Sequence, residues 1–434
     1  MSDETITAIL EGRYADPDGG PPLAVRTKSV MIADSLGGIE ADLVMALDFG
    51  RTLAVVSDAR TREALGERVE RALSSAVEVI SVVLPRRPHA DIETVARLRQ
   101  ATVGADALIA VGSGTINDLC KYAAAEDKKP YAVFGTAPSM NGYASVNAAI
   151  TVNGLKKTLP AVAPSGVFLD LGVLAAAPRR LILSGLGDSL CRSTAQTDWL
   201  LAHLLFDRPY REAPFALLAE DEDALFGEPE ALLAGDLEAM GRLARTLALS
   251  GFGMTICGGS YPASQGEHLI SHYMEMLAPK DWPEAYHGEQ IGVTTLTMAR
   301  LQERMLADDR PRVAPTTVTE ADVKARFGPG LGGACWQEFV RKRLDAAAAA
   351  ALNRRLAETW DDIRERLFAV RRPSSALHET LRRVGAPTVA EDLGWSRDFY
   401  NHAVRHAREI RDRYTFLDLA GDSGAFDRAG DLIF

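Results

Sequence analysis

The sequence predicts an α/β fold built on a parallel β-sheet in its N-terminal part and an all-helical fold in its C-terminal part. Up to about residue 178, short apolar runs that end in turn or polar residues alternate with helical stretches, as in a parallel βα sheet. Beyond that point strand-like runs vanish, and long stretches rich in Ala, Leu, Glu and Arg follow. We therefore divide the 434 residues into two domains, 1–178 and 179–434, in keeping with roughly 100–200 residues per domain.

Individual elements can be assigned along the chain. The predicted strands are Arg51–Ser57, Val79–Leu84, Ala107–Val111, Tyr131–Phe134 and Gly166–Leu169. Residues 61–74 and 91–103 have the spacing of amphipathic helices. In the second half, the alanine run Ala346–Ala351 strongly favours a helix, and the acidic stretch Phe206–Pro229 is expected to form a loop between helices.

Composition and charge argue against secreted, membrane-spanning and nucleic-acid-binding proteins. The chain opens without the charged and apolar regions of a signal peptide and contains no run of about 18 apolar residues, so we expect a cytoplasmic protein without membrane insertion. The net charge of −11 disfavours nucleic-acid binding. The four cysteines are scattered without a Cys-x-x-Cys pair, which indicates reduced residues that lie mostly in the core. Apolar helix faces favour a homodimer or higher homo-oligomer.

Three segments that follow predicted strands are typical of a nucleotide site. Gly112–Asp118 follows one strand and begins a helix, so its backbone N–H groups can approach a pyrophosphate. The Gly-x-Gly-x-x-Gly spacing is missing, however, and a purely structural turn is an equally good interpretation. Asp58 ends another strand, where a carboxylate can bind an adenosine ribose and would repel a 2′-phosphate, favouring NAD over NADP. Gly135–Ser145 is rich in hydroxyls and small residues and is expected to line a ligand.

Three histidines suggest a metal site. His268, His272 and His287 lie within twenty positions in a chain with only eight histidines, and an isolated Asp188 lies upstream. Imidazoles and a carboxylate suit zinc, nickel or ferrous iron. The alternative is that His268 and His272, spaced i, i+4, simply lie on a solvent-exposed helix face. The zinc-protease motif is excluded because Glu267 precedes the first histidine instead of following it.

Five motifs in this order, Gly-Ser-Gly-Thr-Ile-Asn-Asp, Thr-Ala-Pro-Ser-Met-Asn-Gly-Tyr, Gly-Leu-Gly-Asp, Gly-Glu-His-Leu-Ile-Ser-His and His-Gly-Glu, resemble those of the sn-glycerol-1-phosphate dehydrogenases. That family belongs to the superfamily of iron-containing alcohol dehydrogenases and dehydroquinate synthases. The resemblance extends from residue 11 to residue 415. It implies a dehydroquinate synthase-like fold, with an NAD-binding domain at 1–178 and a helical metal- and substrate-binding domain at 179–434.

The resemblance also implies roles for individual residues. The metal ligands fall on Asp188, His268 and His287, and substrate contacts on Asn141, His272 and Asp188. Where the family usually has Ser-Met-Asp-Gly, this chain has Asn141, which removes a negative charge beside the substrate. The NAD contacts fall on Asp58, Gly114, Thr115, Ile116, Asn117, Asp118, Thr136, Ala137, Pro138, Ser139 and Ser145.

The expected activity is a metal-dependent, NAD(P)-linked hydride transfer between sn-glycerol 1-phosphate and dihydroxyacetone phosphate. The metal would act as a Lewis acid on the substrate oxygen, and His272 would bind a hydroxyl or relay a proton, unless it only packs the helix. Lys156 or Lys157 would anchor the phosphate, although either is also compatible with a surface lysine. Three alternatives stay open: a dehydrogenase of another polyol or polyol phosphate, a dehydroquinate synthase-like lyase that uses NAD transiently, and a nucleotide-binding protein without activity.

Overall fold

The computed structural model describes residues 4–152, 154–279, 282–307 and 310–429, which form two compact units. The first unit comprises the residues up to Ser189 together with Arg211–Ser260. The second comprises Leu190–Tyr210 together with the residues from Tyr261 onward. Within the described residues, no helix is long and apolar enough to cross a membrane.

The first unit is built on a six-stranded sheet in which every pair of neighbouring strands is parallel, in the order β1-β8-β5-β4-β2-β3, and a separate antiparallel hairpin, β6-β7. The strands are β1 (Ser29–Ala33), β2 (Thr52–Asp58), β3 (Glu78–Leu84), β4 (Ala107–Gly112), β5 (Tyr131–Gly135), β6 (Asn147–Val152), β7 (Leu155–Pro160) and β8 (Gly166–Asp170). The central strands β4, β5 and β8 are wholly buried, which explains their nearly continuous apolar sequences.

Helices cover the sheet and make up the second unit. They are α1 (Glu4–Leu10), α2 (Glu40–Met45), α3 (Ala59–Thr61), α4 (Glu67–Leu73), α5 (Ile92–Ala101), α6 (Gly114–Asp127), α7 (Leu171–Ala175), α8 (Arg179–Leu190), α9 (Arg192–Phe206), α10 (Ala213–Ala216), α11 (Ala219–Gly227), α12 (Glu230–Leu233), α13 (Leu237–Ile256), α14 (Gly266–Leu277), α15 (His287–Ala307), α16 (Glu320–Phe327), α17 (Pro329–Phe339), α18 (Ala346–Val370), α19 (Ser374–Arg383), α20 (Arg397–His406), α21 (Phe416–Asp422) and α22 (Ala425–Ala429). A π-helical turn, Arg62–Gly66, joins α3 to α4, and 3₁₀ turns lie at Tyr261–Ala263, Ala390–Leu393 and Ala407–Ile410.

The predicted α/β architecture is confirmed. All five predicted strands are present, each displaced by at most one residue at either end, and both amphipathic helices form. Sequence reasoning missed β1 and the β6-β7 hairpin, whose side chains are largely half-buried and so lack a continuous apolar run. The expected loop at Phe206–Pro229 was wrong in part, because α10 and α11 form there and bury apolar residues such as Phe215 and Phe226.

The helices between residues 213 and 256 complete the first unit. The long α13 packs against α7, α10, α11 and β1, and most of its residues are buried. These helices therefore share a core with the sheet although they follow the predicted boundary at residue 178. The assignment of a cofactor-binding domain to 1–178 and a metal- and substrate-binding domain to 179–434 concerns what each part binds, and it stays a prediction.

Asp170 joins three segments of the first unit at the end of β8. Its carboxylate accepts hydrogen bonds from the backbone N–H groups of Leu36 at 2.9 Å and Val173 at 3.0 Å, and it pairs with Arg68. Burial raises the pKa of Asp170, but these hydrogen bonds and the arginine charge outweigh it, so the pKa lies below its usual value. The ionised form of Asp170 thus stabilises the fold.

The second unit is a helical bundle around one large apolar core. Residues from α9, α14, α15, α18 and α20 meet there, with Trp360, Tyr273 and Tyr400 among the largest fully buried side chains. Thr297 and Tyr400 share a hydrogen bond of 2.7 Å inside it. The core holds α14, which carries His268 and His272, and the start of α15, which carries His287.

Candidate cofactor and metal sites

Three neighbouring strands place the predicted cofactor segments at one edge of the sheet. Strands β5, β4 and β2 are adjacent and parallel, so their carboxyl ends, Gly135, Gly112 and Asp58, lie along the same edge. Gly112 and Gly135 are direct partners in the register. In open parallel sheets this edge is where ligands bind. The sheet therefore gathers segments that lie nearly eighty residues apart in the chain.

The turn between β4 and α6 requires glycine for packing. A Cβ at Gly112 would lie 2.6 Å from the Cβ of Ile116, and one at Gly114 would lie 3.2 Å from the Cγ of Met140. Helix α6 begins at Gly114 without a side-chain cap from Ser113. The N–H groups of its first turn are thus the kind of anion-binding groups that a pyrophosphate uses.

Asp58 has a second role at the end of β2. Its Oδ1 accepts hydrogen bonds from the backbone N–H groups of Arg60 at 2.8 Å and Thr61 at 2.9 Å, forming a capping box with Thr61. This contact stabilises the helix that follows the strand and fixes the carboxylate at the sheet edge. The carboxylate is thus held in place whatever else it contacts.

The segment from Thr136 to Ser145 is tied down at several points. Thr136 N–H donates to the carbonyl of Gly112 at 3.1 Å, and the Tyr143 hydroxyl donates to the carbonyl of Ala137 at 2.7 Å. The Ser184 hydroxyl, on α8, donates to the carbonyl of Ser139 at 2.9 Å. Burial is high along the segment. Hydrogen bonds and burial thus hold the segment against the rest of the first unit.

Lys121 is a buried anchor that the sequence analysis missed. Its Nζ donates to the carbonyl of Gly142 at 2.6 Å, to Ser145 Oγ at 3.1 Å and to the carbonyl of Asn147 at 3.0 Å. It therefore joins α6 to the end of the Thr136–Ser145 segment. Its signal in the sequence is its position: Lys121 follows Asp118 by three residues and is a single lysine among apolar and small residues of the predicted helix.

On α6, Oδ1 of Asp118 lies 3.6 Å from Nζ of Lys121. Burial raises the pKa of the Asp118 carboxyl and lowers that of the Lys121 ammonium, because both charges are removed from water, and their mutual attraction opposes both shifts. Asp118 Oδ2 also accepts the N–H of Ala149 at 3.0 Å, which fixes the hairpin on α6.

The two lysines predicted to meet a phosphate lie on this hairpin. Lys156 and Lys157 are successive residues of β7 and so point to opposite faces. Lys157 is exposed, whereas Lys156 is half-buried and its charge helps to lower the pKa of Asp118. Lys156 is therefore the lysine of this pair whose charge acts on Asp118 of α6.

Asp188 lies in the last turn of α8 and is almost completely buried. Its Oδ2 accepts the backbone N–H of Asn141 at 2.8 Å. The approach of α8 to the Thr136–Ser145 segment depends on Gly185, since a Cβ there would lie 1.6 Å from the carbonyl oxygen of Pro138. Asp188 and Asn141 are thus brought together in the first unit, and their contact with substrate stays a prediction.

The predicted histidines come together in the second unit. His268 and His272 lie one turn apart on α14, with ring centroids 5.9 Å apart, and His287 is the first residue of α15. The rings of His268 and His287 have centroids 5.1 Å apart. Two imidazoles that bind one tetrahedral cation, each with a metal–nitrogen distance of about 2.0–2.1 Å, place their centroids about 5 Å apart. The spacing of this pair therefore fits a shared metal ion.

Glu267, beside His268, is fully buried. Its Oε1 lies 2.9 Å from His268 Nδ1 and accepts the N–H of Gln265 at 2.7 Å. Burial raises the pKa of Glu267, but these contacts outweigh it, so the pKa lies below its usual value. Potential ligand atoms of Cys191, Glu267 and His268 all lie within 4.8 Å of one another. No disulfide involves the four cysteines, which all lie among the described residues, and Cys120, Cys191 and Cys335 are buried as predicted.

Comparison with known proteins gives one family. The family model described as iron-containing alcohol dehydrogenase matches residues 32–178. The glycerol-1-phosphate dehydrogenase [NAD(P)+] of Thermococcus kodakarensis is 32% identical over 399 residues, covering 91% of this chain and 92% of its own. The protein of the same name from Pyrococcus furiosus is 33% identical, with 68% and 86% covered, and that from Bacillus subtilis is 27% identical, with 93% and 94% covered.

Solved structures share the fold at lower identity. A probable glycerol dehydrogenase from Sinorhizobium meliloti matches with a TM-score of 0.59 at 19% identity, over 93% of this chain and 97% of that one. The NADH-dependent butanol dehydrogenase A of Thermotoga maritima matches with a TM-score of 0.61 at 15% identity, over 92% and 96%. The predicted resemblance is confirmed: this chain belongs to the glycerol-1-phosphate dehydrogenase family, within the iron-containing alcohol dehydrogenases.

Proposed function

We propose that this protein is a metal-dependent, NAD(P)-linked dehydrogenase that interconverts sn-glycerol 1-phosphate and dihydroxyacetone phosphate by hydride transfer. The observation that carries the proposal is the 32% identity, along nine-tenths of both chains, to a glycerol-1-phosphate dehydrogenase. The local structure supports it, because the sheet edge offers a nucleotide site and the second unit offers an imidazole pair with the spacing of metal ligands.

For the cofactor, we assign the adenosine ribose to Asp58, the pyrophosphate to Gly114–Asp118 and the remaining contacts to Thr136–Ser139 and Ser145. The common edge of β2, β4 and β5 supports this assignment, since a dinucleotide can lie along it. The carboxylate of Asp58 would repel a 2′-phosphate, so we expect NAD to bind more tightly than NADP. The bound nicotinamide supplies the hydride chemistry.

For the metal, we assign Asp188, His268 and His287 as ligands of one divalent cation. The chemistry of the set fits zinc, nickel or ferrous iron, and the 5.1 Å centroid separation of the two imidazoles fits ligands of one ion. When bound, the ion would stabilise negative charge on the reacting oxygen. Asn141, whose backbone N–H holds Asp188, would fix the orientation of that carboxylate.

His272 would bind a substrate hydroxyl and hold the proton that the alcohol releases. It lies one turn from His268 on α14 and is half-buried, so its imidazole can exchange a proton with water. Lys156 is our choice for the substrate phosphate, because it is half-buried and its charge acts on Asp118 of α6, whereas Lys157 is exposed. The predicted cytoplasmic location and homo-oligomeric state remain predictions.

A dehydrogenase of an uncharged polyol is the second candidate, and Asn141 is the residue that favours it. The substrate test is NADH oxidation by enzyme reconstituted with zinc, nickel or iron, with dihydroxyacetone phosphate and dihydroxyacetone compared as substrates. We expect turnover of the phosphorylated ketone to give sn-glycerol 1-phosphate. Activity on dihydroxyacetone alone would overturn the substrate assignment, and turnover without net formation of NAD⁺ would indicate a lyase instead.

The metal assignment has its own test. His268→Ala should lose the bound metal and the turnover while retaining NADH binding, since His268 lies outside the unit that contains the sheet. His89→Ala, which changes an exposed histidine of the first unit, is the matched control and should retain the metal. Stoichiometric metal in purified His268→Ala, measured by plasma emission spectroscopy, would contradict the ligand assignment.

A further inference from the structure

Glu267 precedes His268 and so does not form the zinc-protease motif, yet its surroundings give it another role. It is the second residue of α14, has no exposed surface, and places Oε1 2.9 Å from Nδ1 of His268. Adjacent residues on a helix do not ordinarily face each other. The contact is therefore a specific arrangement of the first turn of α14.

The carboxylate is itself held on both oxygens. The backbone N–H of Gln265 donates to Oε1 at 2.7 Å, and the hydroxyl of Thr194, on α9, donates to Oε2 at 3.2 Å. Rotating Glu267 away from His268 would break these bonds inside a core where an unsatisfied polar group costs about 1–3 kcal/mol. The position of Oε1 relative to the imidazole is therefore fixed by groups other than the histidine.

An oxygen that already accepts the N–H of Gln265 acts towards the imidazole as an acceptor, so the hydrogen resides on Nδ1. A neutral imidazole carries one hydrogen, and its other nitrogen is then the one with a lone pair. We propose that Glu267 is a positioning residue that holds His268 in the Nδ1–H tautomer and thereby makes Nε2 the atom that binds the metal. The inference rests on the proposed function, which makes His268 a ligand.

This arrangement corresponds to the way carboxylates orient metal-binding histidines in general. A competing interpretation is that Glu267 is itself a ligand, with Cys191 and Nδ1 of His268, because their potential ligand atoms lie within 4.8 Å. Hydrogen bonds already account for this cluster. The Cys191 thiol lies 3.6 Å from the carbonyl of Ala263, and both oxygens of Glu267 accept hydrogen bonds. The two interpretations differ in which nitrogen of His268 meets the metal.

The first experiment is NMR of the full chain with isotope-labelled histidine nitrogens, loaded with NMR-active cadmium. Only eight histidines contribute, and His268→Ala identifies the signal of interest. We expect cadmium coupling to Nε2 of His268 and a hydrogen on Nδ1. Coupling to Nδ1 would overturn the inference while leaving His268 a ligand. Cadmium binding without coupling to His268 would overturn the proposed metal site itself, so the two failures are distinguishable.

The second experiment compares zinc affinity among three variants by competition with a chromophoric chelator. Glu267→Leu removes the acceptor and should weaken zinc binding about 10–100-fold. Glu267→Gln retains a carbonyl oxygen that can accept from Nδ1 and should recover most of this loss. Thr297→Val removes a buried hydrogen bond to Tyr400 in the same unit without touching Glu267 and is the matched control for damage to packing, with affinity expected within about threefold of wild type.

An equal loss of zinc affinity in Thr297→Val and Glu267→Leu would show that packing alone is responsible, and it would overturn the inference. Equal losses in Glu267→Gln and Glu267→Leu would also do so, because the amide retains the acceptor. If Glu267→Leu does not fold, the comparison of wild type with Glu267→Gln by NMR decides. The Nδ1 hydrogen should persist in Glu267→Gln, and its transfer to Nε2 would contradict a positioning role for the acceptor.

Discussion

Replacing Gly185 by alanine sets two effects of opposite sign against each other. Gly185 lies inside α8, where alanine ordinarily stabilises a helix by about 0.5–1 kcal/mol. The added Cβ would, however, lie 1.6 Å from the carbonyl oxygen of Pro138, whereas ordinary contact begins at 3.4 Å. The carbonyl belongs to the main chain and the backbone fixes the position of the Cβ, so no side-chain rotation relieves the overlap. Helix and segment must therefore separate by nearly 2 Å.

Overpacking of this kind typically costs about 1–3 kcal/mol, and the size of the overlap places Gly185→Ala at the upper end. After subtracting the helix gain, we expect a net loss of about 2 kcal/mol in the free energy of unfolding. For a unit of this size that corresponds to a decrease of about 4–8 °C in Tm. Displacing Pro138 also moves a predicted cofactor contact, so NADH should bind at least about tenfold more weakly, which is 1.4 kcal/mol.

The assays are thermal unfolding followed by circular dichroism and titration of NADH followed by fluorescence. Gly241→Ala is the matched control, because it lies in α13 of the same unit and its Cβ would lie at ordinary contact distances, 3.5 Å from Leu171 and 3.6 Å from Arg245. The control should melt at or above the wild-type temperature. If Gly185→Ala does the same and binds NADH normally, the close approach of α8 to the segment is refuted.

Three further predictions concern single side chains. Lys121→Met removes one hydrogen-bond donor from each of three acceptors, so it should lower the unfolding free energy by about 2 kcal/mol and weaken NADH binding several-fold. Lys129→Met, whose Nζ also donates to backbone carbonyls, should not affect NADH binding. Because folding lowers the pKa of Asp170, its contribution to the free energy of unfolding is present above the unfolded pKa and is lost as pH falls through the folded pKa. The free energy of unfolding, measured as pH is lowered, should therefore fall less in Asp170→Asn than in wild type. An unchanged pH profile would contradict this. Asn141→Asp keeps the backbone N–H that donates to Asp188, our proposed metal ligand, so metal content should be unchanged. The kcat/KM for dihydroxyacetone phosphate should rise up to about tenfold through a charge-assisted hydrogen bond. A fall in bound metal would contradict this separation of roles.

Much of the sheet was predictable because buried parallel strands carry an unmistakable apolar signal. Strand β4 is wholly buried and was placed within one residue, whereas β1 and the β6-β7 hairpin are half-buried and were missed. Periodicity reports how a segment is buried, and segments with mixed burial give a mixed pattern. Helices α10 and α11 were missed for a related reason, since their acidic residues mask a few deeply buried ones.

The residues of the candidate site could be proposed from the sequence, but their contacts could not. The approach of the His268 and His287 rings follows from packing of α14 on α15, which no spacing in the sequence specifies. Lys121 and Glu267 were missed as functional because their importance lies in what they hold, namely a segment twenty residues away and a neighbouring imidazole. Such roles depend on tertiary contacts that local pattern cannot contain.

The link between Asn141 and Asp188 has a consequence for how this family can diversify. The hydrogen bond uses the main-chain N–H of residue 141, so any amino acid except proline can make it. The side chain at this position is thereby released from orienting the carboxylate and can vary with the substrate. What evolution must conserve here is the number of residues between β5 and this N–H, so we expect homologues to tolerate substitutions at position 141 far better than insertions or deletions beside it.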